Sequence, residues 1–160
     1  MDYLIRTLTS EDLDAVAAIY AAHTAATPPA TWRARLSSLL TGSGATVALV
    51  AALPATDGVA GGSDQGADQV IGYLVGEVRS WEFGSPPAGW IFALAVAREH
   101  QDRGVARRLA TEAVQRFRAL GVSTLRTMVR RDDVDVLRFF RGAGYVAGPY
   151  TELELDLENL

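Results

Sequence analysis

Residues 90–129 hold an apolar run, "WIFALAV", a polar stretch with a single glycine, a helix-periodic segment and a second strand-like run, "STLRTMV". Strands joined by a tight turn are antiparallel, whereas strands joined through a helix lie parallel, and such crossovers are right-handed. The segment therefore predicts one parallel pair of neighbouring strands with a helix laid on one sheet face. The rest of the chain has to be arranged around that unit.

Upstream, "YLIRTL" predicts a short strand. In "TSEDLDAVAAIYAAH", Thr9 or Ser10 offers an N-cap, the first turn is acidic, and Leu13, Val16, Ala17 and Tyr20 recur at helical spacing. A second helix is predicted from about Thr31 to Leu40, with Trp32, Leu36, Leu39 and Leu40 on one side. "TVALVAAL" and "VIGYLVGEV" read as buried strands, and the short connections among these strands and "WIFALAV" predict antiparallel pairing. In the second of these, Glu77 extends the row Ile71, Tyr73, Val75. Residues 54–69, "PATDGVAGGSDQGADQ", carry no side chain able to support a core and read as a mobile hairpin insertion. After Gly121, "DVDVLRFFRGAG" predicts a short helix and "TELELDL" an alternating strand, with Leu153, Leu155 and Leu157 toward a core and Glu152, Glu154 and Asp156 toward water. The fold class expected is α+β, with a mixed sheet in one domain spanning 1–160.

Composition narrows the chemistry. A net charge of −4 offers no overall attraction to nucleic acid or acidic lipid, so any basic site is local. With no cysteine and 2 histidines, disulfides, thiolate catalysis and nearly every zinc pattern drop out, and no metal is expected. No apolar stretch is long enough to span a bilayer and the N-terminus lacks a signal-peptide pattern, so a cytoplasmic protein is expected. "TGSGAT" precedes a strand where a dinucleotide fingerprint follows one, no phosphate loop of the G-x-x-x-x-G-K type exists, and "GGSDQG" lacks the spacing of a hydrolase elbow.

One place reverses the usual rule for helix starts. "QDRGVARR", Gln101 to Arg108, opens a helix with Arg103, Arg107 and Arg108, although the positive end of the dipole favours acids. Gly104 allows backbone to lie close to a ligand, and the first amides of a helix lack intrahelical partners. Together they predict an anion site, which would turn the arginines from a cost of roughly 0.3–1 kcal/mol each into a gain. The competing reading pairs Arg107 and Arg108 with Glu99, Asp102 or Glu112.

These residues carry a resemblance. "LAVAREHQDRGVARRLATEAV" is similar to the acyl-CoA-binding segment of the GNAT superfamily of N-acyltransferases, whose signature [QR]-x-x-G-x-[GA] is met by Gln101, Gly104 and Ala106. "DDVDVLRFFRGAGY" resembles that family's second cofactor-side motif. The resemblance implies a GNAT-like fold with a central mixed sheet of about six to seven strands, about four helices and a splayed parallel pair. It also implies that acetyl-CoA is the cosubstrate. Backbone groups of Leu94, Ala95 and Val96 would bind the pantetheine arm. Amides from Gln101 through Asp102, Arg103, Gly104, Val105 and Ala106 would take the pyrophosphate, with charge from Arg103 and Arg107. Asp133, Phe139 and Phe140 would flank the cofactor from the later helix, while Phe139 and Phe140 also fit a plain core role.

Two departures matter. Asp133 stands where many relatives have Asn, and Phe140 stands where a tyrosine general acid is common; Tyr145 falls at a packing position. A thiol of ordinary pKa leaves as thiolate at a cost of about 2 kcal/mol at pH 7, whereas neutralising an alkylamine costs roughly 4.6 kcal/mol. A base therefore matters more than the missing acid, and the candidates are Glu77, Glu82 in the aromatic loop "RSWEFG", and His100. The leading reading is acetyl transfer to a primary amine of a small molecule or peptide by direct attack in a ternary complex. A non-catalytic acyl-CoA-binding regulatory module is the alternative, and a nucleic-acid-binding domain is the weakest. Neither nucleic acid nor a membrane is expected as a partner, and a homodimer is allowed by the alternating last strand.

Overall fold

Three apolar runs become the centre of one five-stranded sheet with strand order β1-β2-β3-β4-β5. The computed structural model describes residues 2–42, 44–55, 68–80 and 82–158, with only the backbone of Phe83. The strands are β1 (Leu4–Thr7), β2 (Thr46–Leu53), β3 (Gln69–Arg79), β4 (Ala88–Val96) and β5 (Leu125–Arg126). The helices are α1 (Leu13–Thr24), α2 (Ala30–Thr41), α3 (Val105–Ala119) and α4 (Val134–Gly142). Two compact units are distinguished, 1–127 and 128–160. Most of the predicted insertion, residues 56–67, lies outside the described residues.

In the first unit β1 to β4 pair antiparallel and β4 pairs parallel with β5, as the crossover requires. One face of the sheet packs against α3 through Val105, Leu109, Ala113 and Phe117. The other face packs against α1 and α2 through Leu13, Val16, Ile19 and Leu36. Leu13 and Val16 on α1, and Trp32, Leu36, Leu39 and Leu40 on α2, follow the spacing read from the sequence, whereas Ile19 packs in the α1 face in place of Ala17. The entry to α1 is fixed by Asp12, which accepts from the Thr9 amide at 2.8 Å and takes both terminal nitrogens of Arg6 at 2.7 and 2.8 Å. Burial opposes the charged form of Asp12, but the Arg6 hydrogen bonds and the Thr9 amide outweigh it and hold the carboxyl below its usual range.

Two bulges alter the predicted faces. Gly72 pairs with Ala51 and Val70 with Ala52, so Ile71 is the extra residue and turns toward α3, while Tyr73 and Val75 face α1 and α2. The row Ile71, Tyr73, Val75 is therefore corrected to Val70, Tyr73, Val75. On β4, Ala93 pairs with Val75 and Ile91 with Gly76, which makes Phe92 the extra residue.

Under α3 the sheet carries Gly76 and Gly89. A Cβ on Gly76 would lie 2.9 Å from the Phe117 ring and 2.5 Å from the Trp90 carbonyl oxygen; one on Gly89 would lie 2.7 Å from that ring. The two glycines make the floor on which Phe117 rests.

The strand count is five where six to seven were expected. "STLRTMV" pairs only at Leu125–Arg126. "TELELDL" forms no strand, and its leucines face solvent, Leu153 at 90%, Leu155 at 70% and Leu157 at 74% exposure. Alternation fits a residue to a sheet with one wet face, but a strand also needs a neighbour to pair with. The second unit consists of α4 and its flanks. Asp133 caps α4 by accepting from the Val136 amide at 3.1 Å. Phe140 is buried between Phe139, at 5.1 Å, and Tyr145, at 5.0 Å, both in edge-to-face contact.

Candidate active site

The parallel pairing of β4 and β5 is short. It joins Gly89 to Leu125 and Trp90 to Arg126, after which Thr127 Oγ1 donates to the Ile91 carbonyl at 2.9 Å. From Phe92 to Val96 that edge of β4 has no strand partner among the described residues. The bulge at Phe92 falls where pairing stops. An extended chain can add to an open edge of this kind as a further strand.

The edge leads into the loop before α3. Gln101 Nε2 donates to the Val96 carbonyl oxygen at 3.1 Å and ties the loop to the strand end. Asp102 at φ 58° and Gly104 at φ 79° both adopt the left-handed conformation, which turns the backbone tightly into Val105. No side chain caps α3. The first free amide to find a carbonyl is Arg108, on Gly104 at 3.0 Å, so the amides of Val105, Ala106 and Arg107 are the helix's unsatisfied donors. A Cβ on Gly104 would meet nothing within 4 Å, which leaves open space at the helix end.

A cleft of about 550 Å³ lies there, lined by Arg103, Gly104, Arg107 and Arg108. Arg108 stacks over the Tyr3 ring at 4.5 Å and donates to the Tyr3 carbonyl at 3.4 Å, which aims it along the cleft wall. Glu112 is paired with Arg116 at 2.7 Å instead of with Arg108. Arg107 makes no ion pair among the described residues. The competing reading, in which neighbouring acids neutralise Arg107 and Arg108, finds no such pairs here. Amides, a dipole and three guanidinium groups suit a phosphate-rich ligand.

A second cavity of about 600 Å³ opens on the α1–α2 face of the same edge. Phe92, Ala93, Leu94 and Ala95 form one wall, and Tyr20, Trp32, Arg35 and Tyr73 contribute to the others. The Tyr20 and Trp32 rings lie in contact, 4.9 Å apart and tilted by 40°. Burial, followed by the neighbouring Tyr20, pushes the Tyr73 phenol up to about 12, so it stays protonated at neutral pH. These lining residues were not singled out from the sequence. Apolar periodicity places Tyr20, Trp32 and Tyr73 in a core, and no local pattern marks which core side chains border a cavity.

Leu94 and Ala95 thus stand at the wall of one cavity, and Arg103, Gly104 and Arg107 line the other. Glu77 lies on the α1–α2 face beyond Val75, where its Oε1 accepts from Arg79 Nε at 3.1 Å and Arg35 Nη2 at 3.4 Å. Glu82 sits in a single helical turn, 82–84, and its backbone carbonyl accepts from the amide and the hydroxyl of Ser85, each at 2.9 Å. Trp81 lies outside the described residues. His100 is buried at 7% exposure with Nδ1 unpartnered among the described residues, and it borders neither cavity. Asp133, Phe139 and Phe140 belong to the second unit, where Asp133 acts as a helix cap and Phe140 as core. Among the described residues no group of three His, Asp or Glu side chains could hold a metal ion.

A mixed sheet with helices on both faces, a parallel pair that is short and then interrupted, and a glycine turn with free amides and arginines at the start of the crossover helix set the class of this fold. The profile of the acetyltransferase (GNAT) family matches residues 46–145, and the chain belongs to that family. It is an acyltransferase of the GNAT type. No significant match was found among curated proteins. Among solved structures, the chain is similar to an aminoglycoside acetyltransferase from an uncultured soil metagenomic sample in complex with sisomicin, with 19% identity, 97% and 96% of the two chains covered and a TM-score of 0.70. It is similar also to AAC(6')-Iy in complex with the bisubstrate analog CoA-S-monomethyl-acetylneamine, at 15% identity, 98% and 99% coverage and a TM-score of 0.76. The ribosomal-protein-alanine N-acetyltransferase of Brucella melitensis biovar Abortus 2308 shares 18% identity over 98% and 99% of the chains, with a TM-score of 0.70. At these identities the likeness is one of fold. No helix among the described residues is long and apolar enough to cross a membrane.

Proposed function

We propose that the protein transfers acetyl from acetyl-CoA to a primary amine of a small molecule or peptide by direct attack in a ternary complex. The observation that carries this reading is that one open stretch of β4, Phe92 to Val96, runs from the wall of an aromatic cavity to a basic anion cradle. The cradle suits the phosphates of coenzyme A, the strand edge suits its amide-bearing arm, and the cavity suits the acceptor. The ends of donor and acceptor then meet beside Leu94 and Ala95.

In the reaction the neutral amine nitrogen forms a bond to the thioester carbon, the C–S bond breaks, and coenzyme A leaves as thiolate that takes a proton from solvent. The amine's proton passes to a carboxylate, for which Glu77 and Glu82 are the candidates. Backbone amides near Leu94 and Ala95 stabilise the oxyanion. With phenylalanine at position 140, thiolate departure proceeds without a tyrosine acid on α4. Tyr73 is held protonated and is too weak an acid to hand its proton fully to a thiolate.

The experiment is a thiol-release screen of amines, amino acids, polyamines, aminoglycosides and peptide N-termini, with acetyl-CoA binding followed by thermal shift. Binding with amine-dependent release supports the reading. Binding without release from any acceptor replaces it with a regulatory acyl-CoA-binding module. We place the reaction in the cytoplasm. The reading includes a homodimer, because the alternating segment 151–156 exposes Leu153 and Leu155 and belongs to no strand among the described residues. Truncation after Tyr150 then yields a monomer by light scattering, and a monomeric full-length chain refutes the dimer.

A further inference from the structure

Among the described residues, the aromatic cavity has one fully charged lining side chain, Arg35, and no lining carboxylate. His23, also on the lining, is the other group able to carry positive charge. Two acids of the flanking elements are already engaged. Glu77 holds Arg79 at 3.1 Å and Arg35 at 3.4 Å, and Asp14 holds Arg33. A ligand with several ammonium groups needs carboxylates to replace the water it gives up, and here it meets a guanidinium instead. The tilted pair Tyr20 and Trp32, with Tyr73 and Phe92, offers faces and edges to a flat ring.

Resting on the reading of this cavity as the acceptor site, we propose that the acceptor is an alkylamine that carries both an aromatic ring and a carboxylate, with Arg35 binding the carboxylate and Tyr20 and Trp32 holding the ring. Arg35 is free to turn to such a ligand. Its bond to Glu77 is the longer of the two that Glu77 accepts, so Arg79 keeps Glu77 paired when Arg35 leaves. A guanidinium suits the task because its planar fork matches both oxygens of a carboxylate. The site therefore selects against aminoglycosides and polyamines through repulsion as much as through lost contacts.

The test compares two matched pairs, phenylalanine with phenethylamine and 4-(aminomethyl)benzoate with benzylamine, alongside kanamycin and spermidine. In the wild type, kcat/KM for at least one carboxylated amine exceeds that of its uncarboxylated partner and of both polycations. In Arg35→Gln the ratio within that pair falls at least tenfold, a double ratio in which differences of amine basicity cancel. Arg35→Lys retains part of the preference, and Arg35→Glu reverses it. These two variants keep the test decisive should Arg35→Gln fold poorly, which acetyl-CoA-dependent melting reports. Efficient acetylation of polycations, or a ratio unchanged in Arg35→Gln, overturns this inference while acetyl transfer itself stands. Acetyl-CoA binding with no acetylation of any amine overturns the transfer reading, and this inference with it.

Discussion

Gln101 Nε2 donates to the carbonyl oxygen of Val96 at 3.1 Å, so the side chain that starts the anion loop also closes the end of the open strand. Gln101→Ala frees the loop from the strand and leaves that carbonyl to water. A hydrogen bond of this kind contributes about 0.5–1.5 kcal/mol, which corresponds to acetyl-CoA affinity lowered roughly two- to tenfold. Titration calorimetry on the variant checks this, and an unchanged Kd removes Gln101 from the cofactor site.

Gly104 separates backbone strain from charge. Its left-handed φ of 79° costs an L side chain about 1–2 kcal/mol, while the space around a Cβ is open. Gly104→Ala therefore loses about that much stability by denaturant melting without a clash. Gly104→Glu loses a similar amount and, in addition, lowers acetyl-CoA affinity by more than about tenfold through repulsion of the phosphates, an effect that shrinks as salt rises. Equal affinities for the two variants place the phosphates elsewhere.

The acid limb of stability belongs in part to Asp12. Its carboxyl is held below the usual range when folded, so the stabilisation is complete above the unfolded value near 4 and is lost as pH falls through the lower folded value. Asp12→Asn leaves Arg6 without its bidentate partner and the Thr9 amide with a poorer acceptor, at a cost of about 1–3 kcal/mol at pH 7. The difference between variant and wild type narrows below about pH 4. Urea melts at a series of pH values test this, and a constant difference down to pH 2 contradicts it.

Glu77→Gln and Glu82→Gln divide the base assignment. The variant that removes the base loses about 10² or more in kcat and the ionisation limb of its pH profile, because neutralising the amine is the larger deficit. Phe140→Tyr adds a hydroxyl to a buried edge-to-face cluster and changes the rate by no more than a few-fold. Wild-type rates for both glutamate variants across pH 6–9 assign deprotonation to water or to desolvation of the amine.

The helices and central strands were legible because burial imposes a period on the sequence. Leu109, Ala113 and Phe117 repeat at helical spacing, and the parallel pair followed from the crossover length. The tight turn into α3 was legible because a single glycine stands between the strand and the helix, and arginines at a helix start go against the dipole and so ask for a cause. The bulges at Ile71 and Phe92 were hidden, since one extra residue shifts every later side chain without changing composition. Arg35 was hidden for a related reason: on α2 it reads as an ordinary polar-face residue, and only the neighbouring β4 bulge and α1 make that face a cavity wall. The leucines at 153, 155 and 157 misled because alternation records a preference for a sheet surface and says nothing of which edge supplies it.

Phe117 on its floor of Gly76 and Gly89 fixes one end of a helix whose other end, about 20 Å away at 1.5 Å per residue, carries the anion cradle. The helix is rigid over that length, so the aim of the cradle's amides is set by how deeply one ring sinks into two bare stretches of backbone. Ordering of those amides is then completed during folding, and a phosphate that lands on them has little conformational entropy left to remove. Two residues with no side chain thereby set where the far end of the helix, the proposed phosphate site, points.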